Sequence, residues 1–261
     1  MQQLALLYRY ASFWLRSGNA HGLHSPFVFD LYCFIMHHTG YFPAYTQVED
    51  LRQSLLEDNS EIEVTDLGAG SHTGATKKRK IAAIARSAAK PEQLGQLLFR
   101  LANYFKPATI LELGTSLGIT TSYLALARKS ANIYTFEGCP AIAAQAKRNF
   151  AKLRLAHVQL VEGNIDKTLP QTVSSLKQVD FVFFDGNHRL EPTLRYFEIC
   201  LSKAHAGSVF IFDDIYWSAE MMEAWQKLKQ HPRVLLTIDL FHIGLVFFRT
   251  NQPKQHFTLR F

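Results

Sequence analysis

An apolar run that carries an acid, turns on glycines and enters a helix constrains this chain more than any other feature. Ile110, Leu111 and Leu113 make the run, Lys106 and Pro107 bound it upstream, and Glu112, Gly114 and Gly118 mark its exit. The pattern predicts a short buried strand whose glycines let backbone turn tightly and lie close to a ligand. The helix that follows offers its unpaired N–H groups to the same ligand. Strand, glycine turn and helix in this order open a doubly wound sheet with a nucleotide-type site at the turn.

The rest of the chain repeats the alternation. Residues 133–137 predict a second strand ending at Glu137, about 25 residues after Glu112, where a carboxylate can take ribose hydroxyls. Residues 158–161 predict a third, followed by Asn164 and Asp166. Residues 179–185 are almost wholly apolar, as a strand buried on both faces should be, and deliver Asp185, Gly186, Asn187 and His188. Residues 207–212 predict a fifth strand that delivers Asp213 and Asp214, and residues 234–238 and 243–248 close as an antiparallel pair. Between strands run helices with one apolar face, such as residues 91–105 with Leu94, Leu97, Leu98 and Leu101. The expected fold is α/β: a doubly wound, mostly parallel seven-stranded sheet with a last antiparallel strand, over residues 91–261.

Residues 1–90 read as a helical N-terminal extension that supplies lid, substrate or dimer contacts. Leu4, Leu7, Tyr8, Ala11, Trp14 and Leu15 recur at helical spacing, and residues 27–38 predict a further helix entered through Ser25 and Pro26. His21, His24, His37 and His38 have no carboxylate or cysteine at ligand spacing, which favours structural roles. Residues 66–74 carry a second acid–glycine pattern. The residues after it are Lys77, Lys78, Arg79, Lys80 and an Ala-rich helix, not a second strand ending in an acid. A glycine-rich loop is therefore expected there, with the basic run either a solvated helix start or a grip on an anionic substrate.

Composition removes several classes. With 48% apolar residues and 20 phenylalanines the chain has the means to bury a full core, which excludes disorder for most of it. No apolar stretch reaches the ~18–20 residues that span a bilayer, and no export signal is visible. Cys33, Cys139 and Cys200 form no C-x-x-C pair, which argues against a disulfide framework or zinc cluster. No membrane insertion and a cytoplasmic setting are expected. A net charge of +6 permits an anionic partner without naming one.

In open α/β sheets, ligands bind beyond the carboxyl ends of the strands. Five successive strands here end in polar groups: Glu112, Glu137, Asn164 with Asp166, Asp185, and Asp213 with Asp214. With these residues, positions 91–250 resemble a class I S-adenosylmethionine-dependent methyltransferase, and more narrowly its metal-dependent O-methyltransferase branch. The resemblance implies that Glu112, Gly114, Ser116 and Gly118 lie against the amino-acid part of S-adenosylmethionine. It places Glu137 on the ribose, Asn164 and Asp166 near the adenine, and Asp185 at the cofactor, at the metal and in catalysis. Asp185, Asp213 and Asp214 would hold Mg²⁺, and His188 would act as general base or substrate contact. Catechol-type members carry Asp-Asn where this chain has Asp213-Asp214. Some sugar- and macrolide-modifying relatives share the pairing of Asp-Gly-x-His with Asp-Asp.

The chemistry is consistent with that implication. Methyl transfer from a sulfonium is an in-line displacement that needs alignment, and a cation lowers the pKa of an acceptor hydroxyl. The expected function is methyl transfer to the hydroxyl of a small molecule, with a homodimer one of the roles open to the N-terminal extension. A nicotinamide dehydrogenase fits poorly, because the glycines at 114 and 118 miss its G-x-G-x-x-G spacing. Nucleic-acid methylation is the main alternative; the fourth strand lacks the Asn/Asp-Pro-Pro-aromatic turn of many enzymes that act on flipped bases. A catalytically inert scaffold is the third.

Overall fold

A computed structural model of the protein describes residues 2–65, 76–88, 90–250 and 252–261. The glycine pattern at 66–74 lies outside the described residues. The chain forms two compact units, Thr39–Ser175 and the pair of segments Met1–His38 and Leu176–Phe261.

In the unit Thr39–Ser175, helix Pro43–Glu57 precedes an antiparallel hairpin of β1 (Glu61–Thr65) and β2 (Thr76–Lys80). The basic run is thus a strand rather than a helix start, and helix Ile81–Ala88 begins directly after it. Local propensity misses this because lysines are poor strand formers. The register supplies the reason: Glu61 faces Lys80 and Glu63 faces Lys78, so opposite charges sit directly across the ladder.

Helix Glu92–Phe105 buries Leu94, Leu97, Leu98 and Leu101, each stabilising the unit by about 1.5–3 kcal/mol. It ends at Lys106, whose φ of 50° is a left-handed cap, and Pro107 prevents its continuation. The chain then enters β3 (Thr109–Leu113), buried at every position. β4 (Asn132–Glu137) and β5 (Val158–Glu162) follow in parallel, in the order β3-β4-β5. Helices Ile119–Ala127 and Pro140–Lys152 connect them.

The other unit holds five strands: β6 (Val179–Phe184), β7 (Ala204–Asp213), β8 (Leu236–Asp239), β9 (Ile243–Phe247) and β10 (Gln255–Thr258). Their order is β10-β8-β9-β7-β6. β6 and β7 are parallel, while β9 runs antiparallel to both β7 and β8, which is the closing pair expected from the sequence. β10 is an eighth strand beyond the seven expected, parallel to β8. Its four residues are too few to show a period of two. Just past it, the Gly18 N–H donates to the Thr258 carbonyl at 2.8 Å and the Arg260 N–H to the Gly18 carbonyl at 3.2 Å.

The N-terminal segment is helical from Gln2 to Arg16, then from Pro26 to Asp30, and continues as a π-helical stretch over Leu31–Met36. The apolar periodicity of the first helix does not mark its buried face. Leu4, Leu7, Tyr8 and Leu15 are exposed, whereas Phe13 is buried against the rings of Tyr216 and Phe241. Among the described residues no helix is long and apolar enough to cross a membrane.

Candidate active site

The glycine turn is built in the unit Thr39–Ser175. Gly114 has a φ of 104°, and the N–H groups of Gly114 and Thr115 both donate to the Phe136 carbonyl, at 3.1 and 3.0 Å. Ser116 follows with a φ of 49°, and the Gly118 N–H closes the turn onto the Thr115 carbonyl at 2.9 Å. Gly118, at φ 80°, caps the helix Ile119–Ala127 without a side chain to do so. The N–H groups of that first turn are therefore open to a ligand or to water.

Glu112 is fully buried and faces Thr135 across the β3–β4 ladder. Its Oε2 accepts from the hydroxyls of Thr135, at 2.6 Å, and of Thr121. Thr115 and Thr135 share a further hydroxyl contact of 2.6 Å. The acid expected at the methionine end of the cofactor thus anchors β3, β4 and the following helix to the turn. Hydroxyl donors support the carboxyl group inside the protein, as burial of a polar group requires.

Glu137 is held at the end of β4 by backbone: Ser116 N–H donates to one oxygen and Cys139 N–H to the other, each at 2.9 Å. Burial pushes its carboxyl above the ordinary range, while these two bonds and one from Gly138 pull it down. Three donors leave about one of the carboxylate's roughly four lone-pair directions for a hydroxyl donor. Beside it, the Gly163 N–H donates to the Glu137 carbonyl at 2.9 Å. Asn164 then accepts the Asp166 N–H at 2.8 Å, an Asx turn that starts helix Ile165–Ser175 and leaves both side chains at the surface. One connected set of bonds therefore ties Gly114, Thr115, Ser116, Glu137 and Gly163 together.

In the other unit two of the expected acids and a histidine come together. Asp185, His188 and Asp213 each offer a ligand atom, and these atoms all lie within 4.8 Å of one another. His188 Nε2 is 3.5 Å from Asp185 Oδ1. Asn187, at φ 68°, makes the turn that swings His188 back, and its amide donates to the Tyr196 hydroxyl at 3.2 Å. Asp214 is not in the group. It has a φ of 54°, and its N–H donates to the His242 carbonyl at 2.7 Å.

Two carboxylates and an imidazole at this separation suit a cation. Oxygen ligands favour Mg²⁺, and the nitrogen extends the range to Mn²⁺ and other first-row ions. His188, expected as general base or substrate contact, stands three residues past Asp185 and is the third member of this group. Asp239 was not singled out at all. It is buried and accepts from Tyr216 Oη at 2.8 Å, Trp225 Nε1 at 3.2 Å and the Phe241 N–H at 3.0 Å. Burial raises its pKa against the pull of those donors, and the same burial raises that of Tyr216.

Fold and strand-end residues together are similar to those of the class I methyltransferases. Residues 111–215 match the family model described as a methyltransferase domain. A catechol O-methyltransferase of Niastella koreensis is 30% identical over 132 residues, covering 49% of this chain and 59% of that protein. Among solved structures, the SAH-bound methyltransferase PaMTH1 of Podospora anserina gives a TM-score of 0.60 at 15% identity, over 87% of this chain and 97% of that one. The O-methyltransferase from Bacillus cereus in complex with SAH gives 0.58 at 18% identity, over 82% and 95%. At these identities the structural likeness speaks for the fold. The chain spans 59% and 65% of the length of the first two curated relatives it matches. It resembles the class I S-adenosylmethionine-dependent methyltransferases, on their O-methyltransferase side.

Proposed function

We propose that this chain is an S-adenosylmethionine-dependent O-methyltransferase that methylates a hydroxyl of a small molecule with help from a divalent cation, Mg²⁺. The observation that carries the reading is the grouping of Asp185, His188 and Asp213 at the ends of two strands, in a chain whose residues 111–215 match a methyltransferase domain. Asp185, His188 and Asp213 would hold the cation, which when bound lowers the pKa of an acceptor hydroxyl. His188 would take the proton released from that hydroxyl or orient it. Glu137 would accept from the ribose hydroxyls, and the turn from Gly114 to Gly118 would lie along the methionine part. Residues 1–90 would add lid, substrate or self-association contacts, and a cytoplasmic setting belongs to the same reading. No specific observation favours nucleic acid as the acceptor.

Calorimetric titration of S-adenosylmethionine into wild type and Glu137→Ala, with Mg²⁺ and with chelator, tests this. Binding weakened about tenfold or more in the variant is expected, since a carboxylate hydrogen bond is worth about 1.5–3 kcal/mol. No heat in any condition would remove the cofactor. The pH dependence has a definite sign. Glu137 accepts most strongly when ionised, and its pKa is raised. Affinity should therefore fall as pH drops toward that raised value, earlier than for an ordinary carboxylate. Glu137→Gln should bind weakly and without this dependence.

The same reading includes a homodimer through the first helix. Leu4 is 73%, Tyr8 78% and Leu15 78% exposed, with Leu7, Tyr10 and Trp14 beside them. These side chains expose on the order of 700 Å², close to the ~800 Å² each partner of a stable interface contributes. Leu7→Glu with Leu15→Glu is expected to give a monomer by light scattering. A monomeric wild type would remove the dimer.

A further inference from the structure

We propose that Arg9 is a positioning residue: from the N-terminal helix it clamps the turn behind Asp213 and so fixes where that acid's donor oxygen points. The consequence for the cation rests on the reading above; the clamp itself does not.

β7 ends at Asp213, and the next residue must reverse direction at once. Asp214 does so at φ 54°, in the left-handed region that a non-glycine residue adopts only when its surroundings over-determine it. Three sets of contacts do this. On the sheet side, the Asp214 N–H donates to the His242 carbonyl at 2.7 Å. Within the turn, the Trp217 N–H returns to the Asp214 carbonyl at 2.9 Å. On the helix side, Arg9 Nη1 donates to the carbonyls of Tyr216 and Trp217, at 2.9 and 3.1 Å.

Those two carbonyls close the turn and have no strand ladder to join. A guanidinium group carrying several donors in a fixed plane can serve both. Rings complete the grip. Tyr216 stacks on Phe241 at 5.0 Å and 13°, Tyr10 meets Phe241 edge-on at 5.0 Å, and Phe13 lies 6.1 Å from Tyr216 and 5.4 Å from Phe241. The Tyr216 hydroxyl then donates to Asp239, which also takes the Phe241 N–H. Residues 9 and 13 thus present a cation and a ring to one four-residue turn more than 200 positions away, while Tyr10 meets Phe241, the ring on which Tyr216 of that turn stacks.

A role confined to anchoring the helix would cost stability and nothing else. A positioning role must also alter the acid turn. Outer contacts that orient ligating residues are typically worth 10–100-fold in metal affinity, so the lower end applies to a group acting through backbone.

The test uses the whole chain and three versions of residue 9. Mn²⁺ binding is followed by the loss of its free-ion electron paramagnetic resonance signal in wild type, Arg9→Met and Arg9→Lys. Amide hydrogen exchange at Asp214 and Trp217 is measured in the same proteins without metal. Expected are faster exchange at both amides and Mn²⁺ affinity about tenfold weaker in Arg9→Met, with partial recovery of both in Arg9→Lys. Faster exchange with unchanged Mn²⁺ affinity overturns the positioning role. Unchanged exchange overturns the clamp as well. If wild type binds no Mn²⁺, the metal reading falls; faster exchange in Arg9→Met then upholds the clamp on its own.

Discussion

Asp213→Asn is expected to lower divalent-dependent methyl transfer by about 10³-fold and to leave S-adenosylmethionine affinity within about twofold. Asp213 is buried at the end of β7, and its ligand atom lies within 4.8 Å of those of Asp185 and His188. Asparagine keeps the shape and removes the charge. Charge stabilisation by a metal ion is worth several kcal/mol, and about 4 kcal/mol corresponds to about 10³ in rate. The cofactor turn lies on β3 and β4 and contains neither acid of this pair, so its binding heat should be retained. Asp214→Asn separates two arrangements of the same acids. If the group is Asp185, His188 and Asp213, Asp214→Asn should cost less than about tenfold, through the turn alone. If Asp214 is a ligand, the two variants should be equally inactive. Initial rates against Mg²⁺ concentration, with chelated wild type as the floor, decide the matter. Full activity of Asp213→Asn under chelation would remove the metal from the mechanism.

The contrast between those two neighbours shows where sequence stops being informative. In letters, Asp213 and Asp214 are equivalent acids at a strand end. In space, the left-handed turn at Asp214 ties its backbone to His242, and the turn at Asn187 brings His188 into the group instead. Left-handed backbone at a non-glycine residue leaves no mark that a motif can carry. Where glycine does the turning, the structure is legible: Gly114 and Gly118 are both at positive φ, in the turn expected of them. β3, β6 and the second half of β7 were legible for a related reason, because strands buried on both faces write a nearly continuous apolar run. β2 was hidden because its support is the facing glutamates of β1 rather than its own residues. The first helix misled in the opposite way. Its periodic leucines face outward, and the contacts that hold it to the body include Phe13, Tyr10 and the polar Arg9, none of which the leucine periodicity marks.

Gly118→Ala should reduce both stability and cofactor binding, for two causes that a second substitution separates. Gly118 sits at φ 80°, and a Cβ built there would lie 2.5 Å from Cε1 and 2.8 Å from Cζ of Phe150. The left-handed conformation costs an alanine about 1–2 kcal/mol, and forcing a methyl group into a packed contact costs about 1–3 kcal/mol more. Retreat is restricted, because the Asn149 amide donates to the Leu117 carbonyl at 2.9 Å and Ala146 closes the far side. The turn must therefore shift, and with it the Ser116 N–H that holds Glu137. A fall in Tm of roughly 5–15 °C is expected from the summed cost, with S-adenosylmethionine affinity reduced at least tenfold. Adding Phe150→Leu empties the contact and leaves φ unchanged. The double variant should thus recover part of the stability, and the unrecovered part measures the backbone term. Complete recovery would assign the glycine to packing alone. An alanine variant as stable and as tight-binding as wild type would mean that the close backbone turn is not what the cofactor site depends on.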